Sequence, residues 1–176
     1  AALQGDAQAQ FNLGLMYYEG QGVAKNYKQA AEWCSKAAEQ GDSGAQFTLG
    51  FLYYEGQGVP QNYEEALKWY QKAAEQENIQ AQFNLGLMYY EGQGVAPDYH
   101  TAFKWCEKAA RQGDAGAQSI LGFMYYQGQG VKQDLQEALK WYQKAAEQNN
   151  AQAQFNLGSM YYEGQGVSPN YQEALK

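Results

Sequence analysis

Few side chains in this sequence are suited to chemistry, and their spacing argues against it. His100 is the single histidine among 176 residues. One imidazole cannot supply a His-rich metal site. It replaces Lys28 or Glu64 at its repeat position, on a face expected to be wet, which removes a His-based triad. The cysteines, Cys34 and Cys106, are 72 residues apart. They occupy the same helix position two repeat units apart, roughly 20 Å from each other if packed helices sit about 8–10 Å apart. A disulfide needs Cα atoms within about 7 Å, so no internal bridge is expected, and both read as buried thiols. The recurring Gly-Gln-Gly-Val has the composition of a phosphate loop, yet no strand precedes it and no Gly-Lys-Ser/Thr follows. The Tyr17-Tyr18 pairs read as core and lip aromatics before they read as acids, and the acidic residues recur in copy after copy, which describes a surface rather than one active site. No catalytic residue, cofactor or metal is expected.

The elements behind these residues are repeats. Gly14, Gly50, Gly86, Gly122 and Gly158 are each 36 residues apart, and nearly everything around them recurs. A fixed period of this size marks a solenoid, one supersecondary unit stacked many times. The units are residues 7–42, 43–78, 79–114, 115–150 and an incomplete 151–176, with 1–6 closing a preceding unit. One solenoid is expected over 1–176. Ala1-Ala2 match Ala37-Ala38 and Lys176 matches Lys140, so a segment of a longer protein is expected. No charged-then-apolar leader opens it, and no apolar run is long enough to span a bilayer. Net charge is −7, with the lysines spread along the repeats. Nucleic-acid binding needs clustered Lys and Arg, and an anionic membrane surface needs the same. Neither partner is expected.

Each unit reads as two helices. Asn26, Asn62, Asp98, Asp134 and Asn170 stand where an N-cap is wanted. Gln29, Glu65, Thr101, Glu137 and Glu173 follow three residues later, and most are expected to complete a capping box. Over Tyr27 to Glu39, Tyr27, Ala30, Trp33, Cys34, Ala37 and Ala38 fall on one side at helical spacing. Lys28, Gln29, Glu32, Ser35, Lys36 and Glu39 fall on the other. This is helix B. Helix A runs from about Ala7 to Glu19, with Asp6, Asp42, Asn78, Asp114 and Asn150 as caps. Ala9, Leu13 and Tyr17 make one apolar stripe, and Phe11, Leu15 and Tyr18 a second almost opposite. A helix apolar on two sides must be covered on two sides, here by its neighbouring units. Gly14 is expected to face helix B and permit close approach. The other glycines fall in the Gly-Gln-Gly loop or at the B-to-A turn. Pro60, Pro97 and Pro169 stiffen the entry to helix B.

The pattern LGxxYxxGxGV, then an Asn/Asp cap, Tyr, Ala, Trp and Lys-Ala-Ala, resembles the Sel-1-like repeat family. In one unit it is carried by Leu49, Gly50, Tyr53, Gly56, Gly58, Val59, Asn62, Tyr63, Ala66, Trp69, Lys72, Ala73 and Ala74. The tetratricopeptide repeat shares LGxxY but has a period of about 34 residues. The resemblance implies an all-α, right-handed αα superhelical solenoid that serves as an adaptor or scaffold in protein complexes. Bacterial members are common and often act in the envelope or as secreted host-interaction factors. Some cysteine-rich members carry one disulfide per repeat and are linked to penicillin binding. This sequence has Ala38 and Gln46 where their cysteines stand, which weakens any transfer of a β-lactam-directed activity.

The strip of helix A left outside the two stripes is the candidate site, a concave surface if A helices line the inner curve. It carries Gln8, Asn12 and Glu19 beside Leu15, with Thr48, Phe51, Glu55, Asn84, Leu87, Glu91, Ile120, Phe123, Asn156, Ser159 and Glu163 in later units. Asn12, Asn84 and Asn156 read either as amides that capture an extended peptide backbone, by analogy with other helical repeats, or as solvated side chains. Thr48 and Ile120 interrupt that ladder. Phe51 and Phe123 read as partner anchors. Phe11, Phe47, Phe83 and Phe155 read rather as inter-repeat packing. Glu19, Glu55, Glu91 and Glu163 form an acidic edge, suited to basic or amide-rich ligands or simply to solubility. The expected function is non-catalytic protein or peptide binding, with end-to-end self-association through uncapped units as the alternative. A second period lies inside the first, since position 34 alternates Cys, Tyr, Cys, Tyr as in a duplicated two-repeat block.

Overall fold

A computed structural model describes Ala2, residues 5–170, Gln172 and Ala174. Ala1, Glu173 and Lys176, which entered the reading of the repeats, lie outside the described residues. The helix A copies are α1 (Ala7–Glu19), α3 (Ser43–Glu55), α5 (Ile79–Glu91), α7 (Ala115–Gln127) and α9 (Ala151–Glu163). The helix B copies are α2 (Tyr27–Glu39), α4 (Tyr63–Glu75), α6 (Tyr99–Arg111) and α8 (Leu135–Glu147). Among the described residues there is no strand, and no helix is long and apolar enough to cross a membrane. The chain divides into two compact units, Ala1–Pro97 with α1 to α5 and Asp98–Lys176 with α6 to α9.

Local chemistry sets the helix ends. Asp6, Asp42, Asn78, Asp114 and Asn150 each accept from the backbone N–H three residues on. Asn26, Asn62, Asp98 and Asp134 do the same for the B helices. Such a cap is worth about 1 kcal/mol. In α2, α4 and α8 the reciprocal half of the expected capping box is not made. The N–H groups of Asn26, Asn62 and Asp134 donate instead to the carbonyls of Tyr17, Tyr53 and Tyr125. Gln29 turns to Glu32, while Glu65 and Glu137 pair with Lys68 and Lys140. The backbone carbonyl at the end of helix A already fills the position that the side chain would have taken.

Thirteen-residue helices are marginal alone in water, so packing must hold them. In the first unit Cys34, Ala37, Ala38, Ala45 and Leu49 form a buried cluster against Phe11, Tyr53 and Trp69. In the second, Ala138, Tyr142, Ala145, Ala153 and Met160 do so. A Cβ on Gly14 would stand 2.7 Å from Cys34 Sγ, and one on Gly50 2.8 Å from the Tyr70 ring. The helix A glycine therefore faces helix B, as its position between the stripes predicts. Gly44 and Gly116 lie inside the first turns of α3 and α7 rather than in the B-to-A turn. A Cβ on Gly44 would stand 2.8 Å from the Phe11 ring, so this glycine makes room for an aromatic from the preceding A helix.

Two recurring features were not singled out in the sequence. Lys36, Lys72, Lys108 and Lys144 lie 4.0–4.5 Å above the rings of Trp33, Trp69, Trp105 and Trp141. The other feature is a buried amide relay. Gln46 Nε2 donates to the Ala38 carbonyl at 3.2 Å, and its Oε1 accepts from Gln76 Nε2 at 2.7 Å. Gln118 repeats this with Ala110 and Gln148, and Gln10 accepts from Gln40. The relays of Gln46 and Gln118 each tie the start of a helix A to the B helix ends on both sides of it.

Candidate functional site

In the first unit, residues 51, 54 and 55 of α3 share one face, because side chains three and four apart are neighbours on a helix. Residues 84, 87, 88 and 91 form a stripe on α5 by the same rule. Tyr70 rises from α4 between these helices. Together they enclose a pocket of about 250 Å³, with Gln93 at its loop end. Tyr70 and Met88 are fully buried. Phe51, Tyr54, Asn84 and Leu87 are half-buried walls, and Glu55 and Glu91 are exposed at the rim. Tyr54 also packs on Tyr63 with ring centroids 5.2 Å apart, which orients it. Tyr70 is 1% exposed, and burial pushes its phenol well above the usual range. Its hydroxyl is buried without a hydrogen-bond partner of good geometry, and Asn84 is the polar side chain beside it.

The second unit contains the same arrangement two repeats later. Phe123, Tyr126, Tyr142, Asn156, Ser159, Met160, Glu163 and Gln165 stand at the positions of Phe51, Tyr54, Tyr70, Asn84, Leu87, Met88, Glu91 and Gln93. They line a pocket of about 200 Å³, which Phe155 also borders. Tyr126 Oη donates to Gln165 Oε1 at 2.7 Å. Besides Phe155, whose counterpart Phe83 does not line the first pocket, two things differ: Ser159 stands for Leu87, and the counterpart of Glu55 is Gln127, which does not line the pocket. The alternation of Cys and Tyr at position 34 thus has a structural correlate. Both pockets are built where that position is tyrosine.

Of the residues that the sequence nominates, Phe51, Glu55, Asn84, Leu87 and Glu91 meet in the first pocket, and Phe123, Asn156, Ser159 and Glu163 in the second. Gln8, Asn12, Leu15 and Glu19 lie on α1 and line neither. There Gln8 Nε2 donates to Asn12 Oδ1 at 3.1 Å, a pairing repeated by Gln152 and Asn156. Thr48 and Ile120 are half-buried on α3 and α7 and also line neither pocket. Tyr54, Tyr70, Met88 and Gln93 were not nominated. The 72-residue alternation is the signal that points to Tyr70. Phe11 and Phe47 pack between repeats, Phe47 on Tyr70 at 5.7 Å, whereas Phe155 is 70% exposed.

The groups able to do chemistry sit elsewhere. Cys34 and Cys106 are free and buried. Burial, then the nearby Asp42 and Asp114 carboxylates, pushes their thiols up to about 12, so neither is a nucleophile near neutral pH. His100 is exposed, with Nδ1 3.4 Å from the Gly130 carbonyl. Among the described residues no three of His, Cys, Asp and Glu converge as metal ligands.

The Sel1 repeat family model matches residues 7–42, 43–78, 79–114, 115–150 and 151–176. The structure is similar to that of c5321, described as a protective antigen of uropathogenic Escherichia coli strains with an SLR fold. The TM-score is 0.95 at 41% identity, over 98% of this chain and 37% of that one. A Sel1 repeat protein of Oxalobacter formigenes gives a TM-score of 0.93 at 40% identity, over 98% of this chain and 68% of that one. A sel1-like repeat-containing protein of Acanthamoeba polyphaga mimivirus is 49% identical over 39 residues, 22% of this chain and 7% of the relative. The chain therefore spans a small part of that viral relative and just over a third of the E. coli protein.

Proposed function

This chain belongs to the Sel1 repeat family, whose solenoid fold is a general scaffold for protein interactions, and we propose that it binds a protein or peptide ligand through its A helices without catalysis of its own. The observation that carries this reading is the repetition of one pocket, residue for residue at most positions, in two separate units. Each pocket is smaller than the roughly 300–1,000 Å³ that holds a drug-sized molecule, and so suits single side chains of a larger ligand. Asn84 and Asn156, at corresponding places in the walls, offer an amide that both donates to and accepts from a peptide backbone.

A random-peptide display screen on the chain, run beside an Asn84→Ala/Asn156→Ala variant, tests this reading. A peptide class enriched on the parent and lost on the variant is expected. Enrichment that survives in the variant refutes the role given to the pockets.

A further inference from the structure

The first pocket has a chemical preference that its shape alone does not express. Its floor carries the Tyr70 hydroxyl, buried with no hydrogen-bond partner of good geometry and with the Asn84 side chain beside it. Its walls present two aromatic rings, Phe51 and Tyr54, and its rim two carboxylates, Glu55 and Glu91. No cationic side chain is among the lining residues. Aromatic faces attract cations, carboxylates pair with them, and the amide oxygen of Asn84 adds an acceptor. The chain as a whole carries a net charge of −7, which draws basic ligands toward it.

We propose that the pocket formed by Phe51, Tyr54, Glu55, Tyr70, Asn84 and Glu91 is a subsite for an arginine side chain of a peptide ligand. This rests on the reading of the A helices as a peptide-binding surface. Arginine suits the pocket better than lysine. A planar guanidinium stacks on a ring face while its five N–H donors reach acceptors on several sides. Here the rim carboxylates meet two donors, and Tyr70 Oη and Asn84 Oδ1 meet those pointing inward. An ammonium is a compact, strongly hydrated point charge that cannot serve rim and floor together. The second pocket has Glu163 but glutamine at the position of Glu55, and Ser159 in place of Leu87. It is the weaker arginine site of the two.

The test is a nitrogen–proton NMR titration of the whole chain with three capped tripeptides, Gly-Arg-Gly, Gly-Lys-Gly and the neutral isostere Gly-citrulline-Gly. The arginine peptide is expected to give saturable shifts at the backbone amides of Glu55 and Glu91 and the side-chain amide of Asn84. The citrulline peptide should bind about tenfold more weakly, and Glu55→Gln/Glu91→Gln should lower arginine affinity by about the same factor. Glu39→Gln/Glu75→Gln, which removes two exposed charges from the B helices, should leave it unchanged and so separates a local site from net charge. Equal binding of arginine and citrulline, loss in both double variants alike, or no saturable shift overturns the proposal. If the display screen enriches peptides without arginine that Asn84→Ala/Asn156→Ala no longer binds, the arginine subsite fails while peptide binding by the A helices stands.

Discussion

Replacing Gln46 by glutamate changes one donor into an acceptor at the centre of the buried amide relay. Gln46 is 5% exposed; its Nε2 faces the Ala38 carbonyl at 3.2 Å and its Oε1 accepts from Gln76 at 2.7 Å. A glutamate keeps the bond from Gln76. An ionised carboxylate, however, would face a carbonyl in a site closed to water. Protonated, it donates to the same carbonyl and reproduces the native bonding. Buried carboxyls have pKa values raised by as much as about 3–5 units, and the bond from Gln76 offsets part of that, so we take about 2 units, or roughly 2.7 kcal/mol. The sign follows from linkage. The folded pKa lies above the unfolded one, so the variant nearly matches the parent below about pH 4. It loses stability as pH rises from there, and carries the full cost above the raised folded pKa, near pH 6–7. Gln154 is the internal control. It makes the equivalent bond to Ala146 at 3.4 Å but is exposed, so Gln154→Glu should stay within about 0.5 kcal/mol of the parent. Urea unfolding followed by circular dichroism from pH 4 to 8 reads both variants. A Gln46→Glu protein as stable as the parent at pH 7, or destabilised equally at pH 4 and pH 7, would refute the relay.

Three further outcomes follow from the same structure. Gly50→Ala should lower stability by about 1 kcal/mol: a Cβ 2.8 Å from the enclosed Tyr70 ring overpacks the contact by about 2 kcal/mol against a helix-propensity gain of about 1. Thermal unfolding tests it, and a raised midpoint contradicts it. Glu77 is a non-glycine residue at φ 64°, where the first repeat has Gly41 at φ 95°. Glu77→Gly should therefore stabilise by about 0.5–1 kcal/mol in urea unfolding, since left-handed backbone costs glutamate but not glycine. Cys34 and Cys106 should resist a disulfide reagent at pH 8 until urea is added. Because the folded thiols ionise only near 12 rather than 9, unfolding releases protons in between, and stability should fall as pH rises through that window. Alkaline unfolding of Cys34→Ala/Cys106→Ala beside the parent checks this, and parallel curves would count against it.

Much of the architecture was legible in sequence because its causes are local. Caps such as Asp42 and Asn62 act on an amide three residues away, so their residue types mark the helix starts without any tertiary context. The Gly-Gln-Gly loop likewise ends helix A through a left-handed residue, Gly56 at φ 69°. The capping box was misread for the complementary reason. Its acceptor is supplied by Tyr53, nine residues upstream of Asn62, through a backbone carbonyl, and a backbone group leaves no trace in residue type.

The candidate site divides along the same line. Phe51, Glu55, Asn84 and Glu91 were legible because helical spacing alone puts them on one strip, and a strip needs only the period of the helix. Gln46 and Gln82 could not be told from surface glutamines, since their burial depends on carbonyls of the preceding helix and, for Gln46, on Gln76 thirty residues away. Tyr70 was visible as an alternation with Cys34, but residue type does not say what a larger side chain reaches. The sequence by itself determined the helices, their caps and the face each repeat presents, because backbone hydrogen bonding and periodicity act over a few residues. Tertiary structure alone decided which polar groups are enclosed and where a pocket opens. Those depend on volumes contributed by three helices at once, since α3, α4 and α5 all supply walls of the pocket over the Tyr70 hydroxyl.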